Sequence, residues 1–209
     1  MPDVTTVLRR GGRTYAAEAG IRLADRPSPL YRLLVLSVLL STRIRAEIAI
    51  AAARELAKAG ATTPAGMLKL SWQDRVDALG RAHYVRYDES TATALGRGAE
   101  LIRDRYRGDL RRMRQAAGGD VAELERRLRE IPRLGPTGAA IFCREVQAVW
   151  PELRPYLDRR ALDGAERLDL PTDPGALARQ VDSDDLARLA AALVRVSLDR
   201  QLARELAAA

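Results

Sequence analysis

Residues 128–146 read LREIPRLGPTGAAIFCREV. Upstream, DVAELERRLREI (120–131) places Val121, Leu124, Leu128 and Ile131 on one stripe at helical spacing. Downstream, PTGAAIFCREVQAV (136–149) starts a second helix, with Pro136 suited to its first turn. The four residues between, PRLG, are too few for a domain boundary. Gly135 can take a positive φ and turn the chain without a Cβ clash. The N–H groups at the start of the second helix then point outward, and such a helix end attracts anions, phosphate included. Taken alone, a plain helical hairpin explains the stretch as well as a phosphate clamp does.

The rest of the chain is helical in pattern. Ala, Leu, Arg and Glu dominate, and β-branched residues do not alternate. The expected class is all-α. Helices are predicted at 13–20, 30–42, 45–59, 64–69, 72–80, 88–107, 120–130, 136–149, 159–168, 174–180, 184–196 and 198–208. Gly and Pro mark the breaks. The segment 30–42 is apolar nearly all round and is expected as the central buried helix. Asp182, Ser183 or Asp184 is placed to cap the helix at 184–196. Trp72 and Trp150 sit at apolar positions and are expected in the core.

Of 209 residues, 47% are hydrophobic and 30% charged, the balance of a globular protein, and aromatics make up only 4%. No apolar run is long enough to span a bilayer. The first twenty residues lack the apolar core of a secretory signal, so a cytoplasmic, nucleoid-associated location is expected. A single cysteine, Cys143, allows no internal disulfide and no cysteine cluster for iron–sulfur or zinc. The single histidine, His83, is expected to pack at a helix end. The net charge is +7, and with Lys58 and Lys69 as the two lysines it is carried almost wholly by arginine. Arginine forks match phosphate oxygens, although a GC-rich coding sequence would also enrich arginine. The stretch RDRYRGDLRRMR (103–114) reads as a solvated helix face.

Four segments, in order, carry a resemblance. IPRLGPTGA (131–139) resembles the hairpin L-P-G-[VI]-G-x-x-T-A of the helix–hairpin–helix DNA glycosylase superfamily, endonuclease III type. LLVLSVLLSTRIRAE (33–47) is similar to that family's apolar helix ending L-L-S-x-Q-[TA]. Residues 79–110 resemble its G-[LFY]-Y-x-x-K-A segment, and YLDRRALDGAERLDLP (156–171) its V-D-[TS]-H-V-x-R segment. The resemblance covers about residues 29–171.

It implies a two-lobe all-α fold with a cleft between lobes: a six-helix lobe at 26–144 that includes the hairpin (120–149), and a second lobe from 1–25 plus 145–209. It implies a base-excision glycosylase acting as a monomer on double-stranded DNA, with no membrane partner. Asp158 falls on the family's catalytic aspartate. A residue before a helix can also cap it, so capping, with pairing to Arg159 or Arg160, is the alternative role. Arg133, Leu134, Gly135, Thr137 and Gly138 form the DNA-gripping hairpin, and Arg43 stands where the family fills the gap left by an extruded base. Ser41 and Tyr156 flank the expected pocket mouth.

Departures shape the expected chemistry. The lysine of bifunctional members is Thr137 here, so a monofunctional enzyme using water is expected. The four-cysteine cluster is missing, so no iron–sulfur cofactor and no side-chain metal site is expected. A monovalent cation held by backbone carbonyls in the hairpin is implied. Arg133 replaces the first hairpin glycine, and Arg159–Arg160 replace the Thr/Ser–His after the aspartate. A catalytically inactive DNA-binding protein on the same scaffold is the alternative, and an unrelated helical interaction module is a third possibility.

Overall fold

The computed structural model describes residues 3–208, and these are helical with no strand. In chain order the helices are α1 (Val4–Gly11), α2 (Tyr15–Glu18), α3 (Pro27–Leu40), α4 (Ala46–Lys58), α5 (Pro64–Lys69), α6 (Trp72–Arg81) and α7 (Asp88–Tyr106). There follow α8 (Leu110–Ala117), α9 (Val121–Leu128), α10 (Gly135–Val146), α11 (Arg159–Glu166), α12 (Pro174–Ala178), α13 (Leu186–Leu198) and α14 (Arg200–Ala207). The chain divides into two compact units, residues 18–142 and residues 1–17 with 143–209. The division falls inside α10.

The unit 18–142 is built on α3. Pro27 opens that helix, and Leu30, Tyr31 and the run Leu33–Leu39 are buried, as an all-round apolar segment requires. The expected central helix is therefore there, beginning three residues earlier than its pattern suggests. Side-chain caps start the surrounding helices. Ser71 and Asp74 form a capping box on α6, Thr63 caps α5, Asp109 caps α8 and Asp120 caps α9. α7 ends on Arg107 in the left-handed region, followed by Gly108.

The unit formed from both chain ends is built on α13. Its buried residues Leu189, Ala190, Ala192, Leu193 and Val196 share one core with Val4 and Val7 of α1, Ala161 and Ala165 of α11, and Leu206 of α14. A Cβ added at Gly164 would lie 1.9 Å from the Leu193 carbonyl oxygen. A glycine there is what lets α11 and α13 approach backbone to backbone. Buried Glu145 joins the chain ends: its two carboxylate oxygens accept the N–H groups of Tyr15 and Ala16, at 3.0 and 2.9 Å, at the start of α2. Burial pushes the Glu145 carboxyl up, while those two N–H donors and the nearby Arg144 and Arg195 pull it down.

Several expectations need correction. Helices at Val4–Gly11 and Leu110–Ala117 are absent from the predicted set. The second lies in the arginine-rich stretch, where Leu110, Met113 and Ala117 form a narrow buried stripe among the charges. None of Asp182, Ser183 or Asp184 caps α13 by a side-chain hydrogen bond: a 3₁₀ turn, Ser183–Asp185, leads into it, with Asp184 paired to Arg154 and Asp185 to Arg188. Trp150 is buried but Trp72 is 41% exposed, because its indole N–H reaches Thr93 Oγ at 3.1 Å across the surface of α6 and α7. His83, two residues beyond α6, is in the left-handed region and exposed rather than packed.

Candidate nucleic-acid interface

The turn of the hairpin belongs to the unit 18–142. α9 ends at Leu128, and the chain turns with two residues in the left-handed region, Arg133 at φ 66° and Gly135 at φ 57°. Gly135 takes that conformation freely. Arg133 takes it against the steric preference of an L side chain, at a cost of about 1 kcal/mol. Three contacts hold the turn. Leu134 is fully buried, and its N–H bonds to the Ile131 carbonyl at 3.1 Å. The Ser41 hydroxyl, at the end of α3, shares its proton between the Val38 carbonyl at 2.7 Å and the Arg133 carbonyl at 3.0 Å. Gly138 lies under Leu134 and Ser41, where an added Cβ would come within 2.8 and 3.3 Å of their side chains.

The structure thus gathers Ser41, Arg133, Leu134, Gly135 and Gly138 into one element. The backbone N–H groups of Gly135 and Thr137 donate to no acceptor among the described residues, and Thr137 is exposed. These free donors at the start of α10, with the positive end of its dipole, are the chemistry an anion needs. Arg43 is exposed in the turn between α3 and α4. Thr42 beside it is fixed, bonding Tyr84 Oη at 2.8 Å. The carbonyl oxygens of Ile131, Arg133 and Leu134 each accept one hydrogen bond.

Asp158 lies in the other unit. It caps α11: φ is −75°, ψ is 174°, and Oδ1 accepts the Ala161 N–H at 3.2 Å. Its other oxygen, Oδ2, meets Arg144 Nη1 at 2.5 Å. The arginine side chain is 6% exposed and the aspartate 15%. The expected partners are elsewhere. Arg159 pairs with Asp163 and Arg160 is exposed. Half-buried Tyr156 is fixed through its backbone, its N–H donating to Gln147 Oε1 and its carbonyl accepting from Gln147 Nε2, both at 2.9 Å. Among the described residues no cluster of three or more His, Cys, Asp or Glu could hold a metal ion, and Cys143 is buried.

Reasoning from sequence overlooked Arg144, Glu145 and Gln147. A signal was present: the charged pair Arg144–Glu145 and the amide of Gln147 interrupt an apolar run, and buried charge has to be paired.

The sequence matches no protein-family model and no curated protein. Two solved structures align with 92% of the chain. One is an endonuclease III trapped as a covalent intermediate with DNA, in an estranged-adenine complex, at 13% identity over 82% of its chain with a TM-score of 0.53. The other is a non-covalent endonuclease III–DNA complex, at 12% identity over 79% of its chain with a TM-score of 0.55. The fold is that of endonuclease III. At this identity the likeness concerns backbone architecture, and the roles of Asp158 and the hairpin rest on their own geometry.

Proposed function

We propose that the protein binds double-stranded DNA and, as a monofunctional glycosylase, hydrolyses the N-glycosidic bond of a damaged or mismatched base. The observation that carries this reading is the hairpin: two left-handed residues set free N–H groups at the head of α10, where a phosphate oxygen can accept them. The surrounding arginine neutralises further phosphates. Arg43 would fill the stack behind a flipped nucleotide, and Ser41 and Tyr156 are proposed to contact the flipped base. Asp158, held at a helix N-terminus, would supply the negative charge that stabilises the sugar cation as the base leaves, and would orient the attacking water.

Thr137 offers no amine, and Lys58 and Lys69 belong to α4 and α5. No Schiff base then forms, and strands stay intact until treated with alkali. A monovalent cation held by the hairpin carbonyls, action as a monomer and a nucleoid-associated cytoplasmic location complete the proposal. It includes no iron–sulfur cluster.

One observation favours a second reading, a catalytically inactive DNA-binding protein. Arg144 neutralises Asp158 at 2.5 Å, which weakens the field a sugar cation would feel. A panel of duplexes, each carrying one modified base, separates the two. An enzyme yields alkali-labile sites on one of them, and Asp158→Asn abolishes these while duplex affinity persists. Duplex affinity with no base release anywhere in the panel establishes the binder. No duplex affinity at all refutes both.

A further inference from the structure

We propose that Arg86, Tyr87 and Arg133 form a second phosphate contact beside the hairpin, serving the DNA backbone next to the phosphate held by the α10 N–H groups; the proposal rests on the DNA-binding reading above. The guanidinium carbons of Arg86 and Arg133 lie 5.3 and 5.4 Å from the centroid of one ring, that of Tyr87. Arg133 Nη1 is further fixed on Ser90 Oγ at 2.5 Å. Both arginines are exposed, and neither forms an ion pair among the described residues, although Asp88 and Glu89 follow next along the chain. Two like charges are thus gathered about one aromatic ring. Cation–π attraction holds each guanidinium in place and leaves its N–H edge free to donate.

Arg133 adds an independent observation. It stands at φ 66°, where glycine would fit without strain. A left-handed arginine whose side chain stacks and bonds across to the start of α7 is a costly way to make a turn. It is an effective way to carry a positive charge from the tip of the hairpin to Tyr87. The pair suits an oxyanion with several acceptor oxygens, and a backbone phosphate flanking the hairpin presents them.

The test is a salt titration of binding to an undamaged, fluorescein-labelled duplex. Wild type, Arg86→Ala, Arg133→Gly and the double variant are compared, with Tm measured on each. Losing this one phosphate contact should lower the slope of log K against log salt by about 0.9 in the double variant, with each single variant lowering it by part of that. Arg133→Gly should do so with no loss of Tm, because glycine accepts the backbone conformation. Tyr87→Leu should weaken binding with both arginines still present. A double variant that binds with the wild-type slope overturns the cluster while leaving the DNA-binding reading intact. Tyr87→Leu binding as wild type removes the aromatic platform from the proposal. Failure of wild type to bind the duplex refutes the DNA-binding reading itself, and the cluster with it.

Discussion

Removing the Asp158 side chain should unfold much more than a helix cap. Asp158→Ala deletes two interactions. The first is the Oδ1 bond to the Ala161 N–H, a cap of about 1 kcal/mol. The second is the ion pair to Arg144, whose guanidinium is 6% exposed. Stranding a fully buried charge costs about 3–5 kcal/mol. Two features argue for the low end: Asp158 is 15% exposed, so water can reach the vacated site, and Glu145 still exerts an attractive field on Arg144. The expected total is about 4 kcal/mol. Asp158→Asn keeps the capping oxygen and loses only the charge, about 2–3 kcal/mol. Arg144→Met is milder, about 2 kcal/mol, because the stranded carboxylate keeps the Ala161 N–H and the positive end of α11. Combining Asp158→Asn with Arg144→Met should cost less than the sum of the two, with a coupling of about 2 kcal/mol. Urea unfolding followed by far-ultraviolet circular dichroism reads all four. An Asp158→Ala protein within about 1 kcal/mol of wild type, the cap alone, would refute the reasoning. So would strict additivity in the double variant.

Three further outcomes are expected. Gly164→Ala should cost more than about 3 kcal/mol, because the new methyl would meet the Leu193 carbonyl at 1.9 Å and only backbone could yield; a thermal melt checks it. Gly138→Ala should be gentler, about 1–2 kcal/mol, since its clash is with the movable Leu134 side chain, and it should weaken duplex binding by disturbing the hairpin more than it lowers stability. The Glu123 carboxyl is drawn from 4.5 down to about 2, first by the Arg126 fork and then by Arg127. Its folded value lies below its unfolded one, so its contribution is present above pH 4.5 and is lost as pH falls from there towards 2. Glu123→Gln should flatten that part of the acid unfolding curve.

What the sequence disclosed was local. The hairpin could be read because its cause lies in adjacent residues: Gly135 must turn, Pro136 suits a first turn, and Leu124, Leu128 and Ile131 share a stripe. α3 was readable from its unbroken apolar run. α1 was not, because eight residues rich in Thr, Val and Arg make a poor isolated helix, and it is held by burial of Val4 and Val7 against α13 together with the Asp3 cap. α8 was hidden because three buried positions are outnumbered by arginines. The cap role of Asp158 followed from its place before a helix, whereas its partner Arg144, fourteen positions earlier, is chosen by tertiary packing. The gathering of Arg86 and Arg133 on Tyr87 joins segments more than forty residues apart, beyond the reach of any periodicity.

The unit that holds Asp158 is assembled from the two ends of the chain, with residues 18–142 between them. A ribosome therefore releases the whole intervening unit before α13 exists to receive α1. During that interval Val4 and Val7 have no core to enter, and the N–H groups of Tyr15 and Ala16 await a carboxylate that has yet to be translated. Residues 3–17 are made before the residues they pack against.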